Sequence, residues 1–445
     1  MFKTFEFGDW FPISNRKTLQ PYLEEVWTQS KPLDDELQPI TEDVSTLKSY
    51  QGFLTFDGTS GRARNYIGFI QSDDFHLEVY PKVFKRQSID EDSIKLFLKH
   101  IFYWFDYCRR WKFPFTNVNL DSHDCENFPE LMINLMADQI ISVITNSPLM
   151  LYEEIEESLS IPRGRINFTR YLNSGLSNGN QHILECDHEP LMFDNQLNRI
   201  IKHVTRQLKQ RAKFPETLHK LNEILFILDE VTDESCNSSS LSRVKLNPFF
   251  DDYNDIVSIC RLVLNQEIYS NNHYEQSHWC LLFPMEYIFE DFVAGFIEKE
   301  LSAEWIIEFQ KQDLYLTDKP SEAFKMKHDI LLTSKFDATI KIIVDTKYKI
   351  RSKEDQRNSK KGIAQSDMYQ MTAYALRRAC THVLLLYPNE IEVLKNKSEF
   401  IITSGFEKSH AVKIIAGEIP FWSMDNFGQL SVELKRCLSG LLTIN

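Results

Sequence analysis

The sequence predicts an α/β protein, α+β over its whole length. It should have a β-rich N-terminal domain with a helix, a mainly helical middle region and a C-terminal mixed sheet flanked by helices. Three observations predict this. Residues 47–84 alternate short apolar runs with polar turns. Most apolar stripes between residues 89 and 265 have helical spacing. From residue 285 a helical stripe, two adjoining apolar runs, a second helical stripe and a further apolar run follow one another. These changes of pattern set three spans, 1–120, 121–275 and 276–445.

A length of 445 residues, 42% hydrophobic and 13% aromatic, is enough for two to four folded domains. Met1–Trp10 lacks the basic, apolar, small-residue order of a secretory signal, and no apolar run approaches the ~20 residues of a membrane span. A cytoplasmic protein without membrane contact is expected. Eight cysteines, Cys108, Cys125, Cys186, Cys236, Cys260, Cys280, Cys380 and Cys437, include no Cys-x-x-Cys pair, so they read as reduced core thiols. The formal charge of −14 opposes unaided binding to DNA, because phosphate neutralisation supplies most non-specific affinity. A chain this acidic needs a partner to do the searching.

The N-terminal strands are expected at Tyr50–Phe56, Tyr66–Ile70 and Phe75–Val83, with a polar turn at Gln71–Asp74. Between the first two lies Asp57-Gly58-Thr59-Ser60-Gly61-Arg62-Ala63-Arg64, read as an exposed loop. It is not a P-loop, since no Gly-Lys-[Ser/Thr] opens a helix there. Helices follow at Ile89–Trp111 and Leu131–Thr145, separated by a polar loop at Asn117–Phe128. Phe97, Ile101, Trp104 and Phe105 have helical spacing and read as core rather than as a base-stacking surface.

In the middle region, Ser160–Asn167 is a turn leading into a strand, Asn173–Asn180 a loop, and His182–Cys186 a second strand. A helix opens after Asp194, its expected N-cap, and reaches about Lys209. Leu218–Val231 and Asp255–Asn265 are further helices, and the serine-rich Thr232–Ser242 between them is the expected linker.

The C-terminal span opens with a helix at Met285–Leu301, with Glu290 at the flank of its apolar stripe. Ile330–Thr333 and Phe336–Val344 read as two strands of a hairpin turning at Ser334-Lys335. Pairing them brings Asp329 and Asp345 to one end, and Lys347, two residues on, shares the face of Asp345. Ser366–Arg378 is a helix with Gln370 and Tyr374 on one face. His382–Tyr387, Phe400–Thr403 and Ala411–Ile415 are strands, and Gln429–Leu442 is a closing helix. Two carboxylates and a lysine on adjacent strands suit metal-assisted phosphodiester hydrolysis, in which hard oxygen ligands hold Mg²⁺ against the scissile phosphate. The bland alternative is a solvated strand end.

These residues resemble the PD-(D/E)xK restriction-endonuclease-like superfamily, with Asp329 as first acid, Asp345 as second, Lys347 as lysine, and His328 where the motif has proline. Phe289-Glu290-Asp291-Phe292-Val293, Asp329-Ile330, Asp345-Thr346-Lys347-Tyr348-Lys349 and Tyr369-Gln370 with Tyr374 are similar to the nuclease region of the McrC family. The Tyr66–Lys82 strands, the Gly164-Arg165-Ile166 element and Leu197-Asn198-Arg199 extend the likeness. The resemblance implies a Mg²⁺-dependent DNA endonuclease subunit working with an McrB-like AAA+ GTPase oligomer on double-stranded DNA. Asp329, Asp345, the Thr346 carbonyl and Glu290 would hold the metal, and Lys347 would tend the attacking water. Gln370, Tyr374 and Lys349 would touch DNA or support the site. The N-terminal span would dock the partner, with Arg62, Arg64, Arg165 and Arg199 as candidate contacts. Two alternatives stay open: a non-catalytic GTPase-activating assembly subunit, and a site-specific endonuclease with its own target recognition.

Overall fold

The runs Ile330–Leu332, Ile342–Val344 and Val383–Leu386 are buried almost completely, as strands covered on both faces require. They lie side by side in a six-stranded mixed sheet, ordered Trp305–Thr317, Ala323–Ser334, Lys341–Thr346, His382–Glu390, Ala411–Trp422, Lys397–Thr403. Its first three strands pair antiparallel, the next two junctions are parallel, and the last is antiparallel. The Gln365–Arg378 helix packs Met371 and Ala375 onto Ile343, Val383 and Ile414. The Leu430–Leu442 helix buries Leu430, Leu434, Leu438 and Leu442, one residue per turn.

The computed structural model describes residues 1–13, 15–34, 51–71, 75–109, 127–152, 154–242, 244, 246, 248–267, 279–319, 321–352, 357–393, 397–403 and 411–443. The chain forms two units, Met1–Phe113 with Glu275–Asn445, and Pro114–Tyr274. The sequence divides 1–120 from 276–445, whereas in the structure these two ends of the chain share one unit. Trp279–Pro284 explains why: it is the outer strand of a sheet ordered Phe2–Phe5, His76–Tyr80, Tyr66–Gln71, Trp279–Pro284. At Gly68 the φ of +127° and a Cβ position 1.9 Å from the Leu281 carbonyl oxygen leave room for glycine alone. A second close approach sits at Gly295, where a Cβ would lie 1.7 Å from the Tyr107 carbonyl oxygen. There the Glu91–Tyr107 helix crosses the Met285–Leu301 helix. The expected core aromatics complete the join, since Trp104 stacks flat on Phe421 at 4.1 Å and donates its Nε1–H to the Phe421 carbonyl at 2.9 Å.

Several expectations are corrected. Asp57–Arg64 is a hairpin rather than a loop, with Ser60–Ala63 paired to Leu54–Asp57 and Gly58 at φ +57° in the turn. In the C-terminal sheet the Asp329 strand ends at Ser334 and the Asp345 strand begins at Lys341, so Phe336 sits in the intervening loop, 83% exposed. Ser334 Oγ accepts from the amides of Phe336 and Asp337, and Asp337 Oδ1 accepts from Thr339. That side-chain turn chemistry lengthens the hairpin beyond two residues. A whole strand, Trp305–Thr317, stands between the Met285–Leu301 helix and the hairpin and escapes the pattern of apolar runs.

The second unit buries the apolar faces of helices Phe128–Asn146, Gln196–Arg211, Pro215–Ile227 and Tyr253–Glu267. It also carries a three-stranded ribbon, Ile155–Leu159, Leu184–His188 and Arg165–Ile166, so it is less wholly helical than expected. Asn195, not Asp194, caps the Gln196–Arg211 helix by accepting from the Asn198 amide, because Asp194 is held by Arg199 and Thr232. Thr232–Ser242 is no linker: Cys236 and Leu241 are buried and Ser238–Leu241 forms a helical turn within the unit. Residues 50, 72–74, 117–126 and 276, with Cys125, lie outside the described residues. Among the described residues seven cysteines are free thiols, and no helix is long and apolar enough to cross a membrane.

Candidate active site

The antiparallel register Ile330↔Val344, Leu331↔Ile343, Leu332↔Ile342 sets Asp329 opposite Asp345 one step further on. Opposed residues of an antiparallel pair share a face, so the two acids converge as the sequence predicts. Asp345 is 4% exposed. The Thr346 amide, at 3.0 Å, and its hydroxyl, at 3.3 Å, donate to Asp329 Oδ2 and aim that carboxylate at the end of the neighbouring strand. Lys347 Nζ lies 2.8 Å from Asp345 Oδ2.

Burial, and then the charge of Asp329, push the Asp345 carboxyl up to about 8. Burial raises Asp329 as well, against the Thr346 amide and Lys347, which pull it down. At Lys347 burial works against the charge, but Asp345 and Asp329 outweigh it and hold the ammonium above the ordinary lysine range. Lys347 therefore serves both acids. Asp345 Oδ2 is buried and takes a charge-assisted hydrogen bond from the Lys347 ammonium.

Glu290, on the Met285–Leu301 helix, accepts from Gln310 Nε2 at 2.9 Å. With Asp329, Gln310 and Arg109 it lines a cleft of about 20 Å³, room for one water or one bare ion. Asp345 and Lys347 are not among the residues lining it. Among the described residues no group of three or more His, Cys, Asp or Glu is arranged to hold a metal. An all-oxygen pair still fits Mg²⁺, which commonly takes one or two carboxylates and fills its remaining positions with water and substrate phosphate. Two facing carboxylates, one of them buried, with the Lys347 ammonium beside them are the feature such an ion would complete.

The other predicted residues fall at different distances from this pair. Tyr374 packs its ring on His328 at 4.6 Å and accepts from Gln370 Nε2 at 3.0 Å, so the two reach the Asp329 strand through His328. No hydrogen bond joins either to Lys347 among the described residues. Lys349 is exposed. Arg62 is used internally, donating to the Phe7 and Gly8 carbonyls, and Arg199 is taken by Asp194. Arg64 and Arg165 are exposed, and Arg165 lines a cleft of about 520 Å³ within the second unit beside Arg163 and His188. Sequence reasoning missed Asp367, whose charge acts on both Asp345 and Lys347. It also missed Gln310, which faces Asp329 across the strand pair at φ +42°. Asp367, three residues before Gln370 on one helix, was within reach of the spacing argument; Gln310 carried no local signal.

The family whose model matches residues 61–388 is described as McrBC 5-methylcytosine restriction system component. No curated protein matches the chain. A chain in the tetradecameric assembly of Thermococcus gammatolerans McrB AAA+ hexamers with bound McrC is similar at 17% identity, covering 99% of each chain with a TM-score of 0.73. A chain of the Thermococcus gammatolerans McrBC complex is similar at 19% identity over 67% of this chain and 88% of that one, with a TM-score of 0.51. At these identities the solved structures speak to fold alone. The family match spans well over half the sequence, and the chain belongs to the McrBC 5-methylcytosine restriction system component family.

Proposed function

We propose that the chain is the Mg²⁺-dependent endonuclease subunit of a McrBC-like restriction system, with a PD-(D/E)xK-type site. It would cut double-stranded DNA in the cytoplasm when assembled with an McrB-like AAA+ GTPase, which recognises the modified DNA and whose turnover it stimulates. The single observation carrying this reading is the apposition of Asp329 and Asp345 with Lys347 held at 2.8 Å. Asp329, Asp345 and the Thr346 carbonyl would hold Mg²⁺, with Glu290 joining from the neighbouring cleft. Bound there, Mg²⁺ supplies stabilisation of the negative charge that grows on phosphate oxygen as water attacks in line. Lys347, kept protonated by the facing acids, is a fixed cation: it orients the water and offsets developing charge rather than taking the proton. Thr346 holds Asp329 to its task through two hydrogen bonds.

The charge of −14 supports dependence on a partner for DNA capture, and the likeness to a chain in McrB hexamers with bound McrC supports the kind of partner. Arg64 and Arg165 are exposed, whereas Arg62 and Arg199 are held by Phe7, Gly8 and Asp194, so the first two are the better placed of the four arginines to meet it. The test is an Asp345→Ala chain assembled with its GTPase. Loss of DNA cleavage with GTP hydrolysis still stimulated is the expected result, and cleavage at the normal rate would overturn the assignment.

A further inference from the structure

Directly after Lys347 comes a buried cluster that the cleavage chemistry does not use. Tyr348 donates its hydroxyl to Glu6 Oε2 at 2.9 Å, and its carbonyl accepts from Lys82 Nζ at 2.9 Å. The same ammonium lies 4.1 Å from the centre of the Tyr348 ring. Glu6 Oε2 also accepts from the Lys82 amide at 2.9 Å, which closes the group into a ring of contacts. Glu6 is wholly buried. It sits where the first strand ends in a tight turn, with Phe7 at φ +51° and the Gly8 amide donating to the Phe5 carbonyl. Arg62 and Lys85 grip that turn by the Phe7 carbonyl. Burial pushes the Glu6 carboxyl up to about 7, against Lys82 and Tyr348, which favour its charge.

A carboxyl and an amine from just beyond two strands of the N-terminal sheet thus hold by both ends a residue just beyond the Asp345 strand. Burying such groups costs stability unless they are paired, so the cluster fixes a geometry. The geometry it fixes is that of Lys347, whose next residue is clamped, and of the Glu290 helix, since Tyr348 packs on Phe289 with ring centres 6.0 Å apart.

We propose that Glu6 and Lys82 are positioning residues for the candidate active site, clamping Tyr348 so that Lys347 stays at Asp345. The N-terminal sheet thereby sets whether the site is competent. This rests on the proposed nuclease reading only for its effect on cleavage, because the clamp is a mechanical claim about residues 346–349.

The experiment uses the full chain, alone and assembled with its GTPase. Tyr348→Phe removes one hydroxyl and keeps the ring, Glu6→Met removes the acceptor shared by the Tyr348 hydroxyl and the Lys82 amide, and Lys82→Met removes the ammonium. Amide hydrogen exchange at Lys347 and Lys349, both hydrogen-bonded here, should quicken about 10-fold in each variant while the rest of the sheet stays protected. Cleavage should fall about 10- to 100-fold, as for other supporting contacts around a metal site. Combining Glu6→Met with Tyr348→Phe should add little to either change, and Lys82→Arg should restore part of both. Unchanged exchange at Lys347 and Lys349 would overturn the clamp. Quickened exchange with normal cleavage would overturn its role in positioning. If the assembled wild-type chain does not cut DNA at all, the nuclease reading fails while the exchange data still judge the clamp.

Discussion

Arg351 and Glu418 form a buried ion pair on the far side of the His382–Glu390 strand from Lys347 and Asp345, and the two pairs differ in how completely their charges are answered. Arg351 donates through Nε to Glu418 Oε1 at 3.1 Å and through NH1 to the Lys361 carbonyl, with its guanidinium over the Tyr387 ring. Asn389 Nδ2 supplies the remaining carboxylate oxygen at 2.8 Å. That network is closed. Asp345, equally buried, has one ammonium to share with Asp329, a second acid directly opposite. The first pair ties the segment that follows the Asp345 strand to the Ala411–Trp422 strand, while the second keeps a deficit of positive charge where a ligand could supply it. Perturbed, incompletely matched charges of this kind mark functional sites more often than structural ones.

If that contrast is right, substitutions at the two pairs should have opposite signatures. The largest effect belongs to the open pair: Lys347→Met should lower DNA cleavage by the assembled enzyme by about 1,000-fold or more, roughly 4 kcal/mol in the barrier. Its thermal midpoint should change little, because burial already favours the protonated Asp345 carboxyl, which needs no counter-charge. Arg351→Met should do the reverse, costing about 3–5 kcal/mol in urea unfolding because the buried Glu418 loses the guanidinium that balances its charge. A cost below about 1 kcal/mol would mean that the closed network is not structural.

A third buried group sharpens the comparison from the neutral side. His100 donates from Nδ1 to the Leu96 carbonyl and accepts at Nε2 from the Ser423 amide, and burial holds its pKa down at about 4. Unfolded, the imidazole takes a proton near 6.5, so the unfolded state binds more protons between these values. Stability should therefore fall as pH drops from about 6.5 to 4, by about 3 kcal/mol for this group. Urea midpoints against pH measure it, and His100→Asn should flatten that part of the profile. The smallest effect is expected at Asp345→Asn without divalent ions. A folded pKa near 8 means that wild-type stability declines as pH rises from about 4 through 8; the variant escapes that loss but takes one acid from the Lys347 ammonium, so at pH 9 the two effects should nearly cancel and leave the variant more stable by about 1 kcal/mol. A less stable variant would show that the carboxylate is better satisfied than its surroundings indicate.

Much of this contrast could be read from the sequence, and its limits are physical. The Met285–Leu301 helix and the His382 strand stood out because their apolar residues keep one period throughout. The apposition of Asp329 with Asp345 followed from two β-branched runs and period-two alternation. The Trp305–Thr317 strand did not stand out, because it is the edge of the sheet and mixes apolar with charged positions, leaving Ile306 50% and Leu316 43% exposed. Nothing local announced that Trp279–Pro284 would pair with Tyr66–Gln71, some two hundred residues earlier. For the same reason the Glu6 and Lys82 clamp was invisible, since isolated charges in separate turns gain their meaning only when the fold brings them to Tyr348.

Binding of Mn²⁺, used as a paramagnetic stand-in for Mg²⁺ and followed by electron paramagnetic resonance, bears on Asp329 and Asp345 without requiring the partner or DNA. The wild-type chain should bind the ion, and Asp345→Asn and Asp329→Asn should each weaken binding by about 10-fold or more while the fold persists. Equal affinity in all three proteins would contradict a metal held between these two acids.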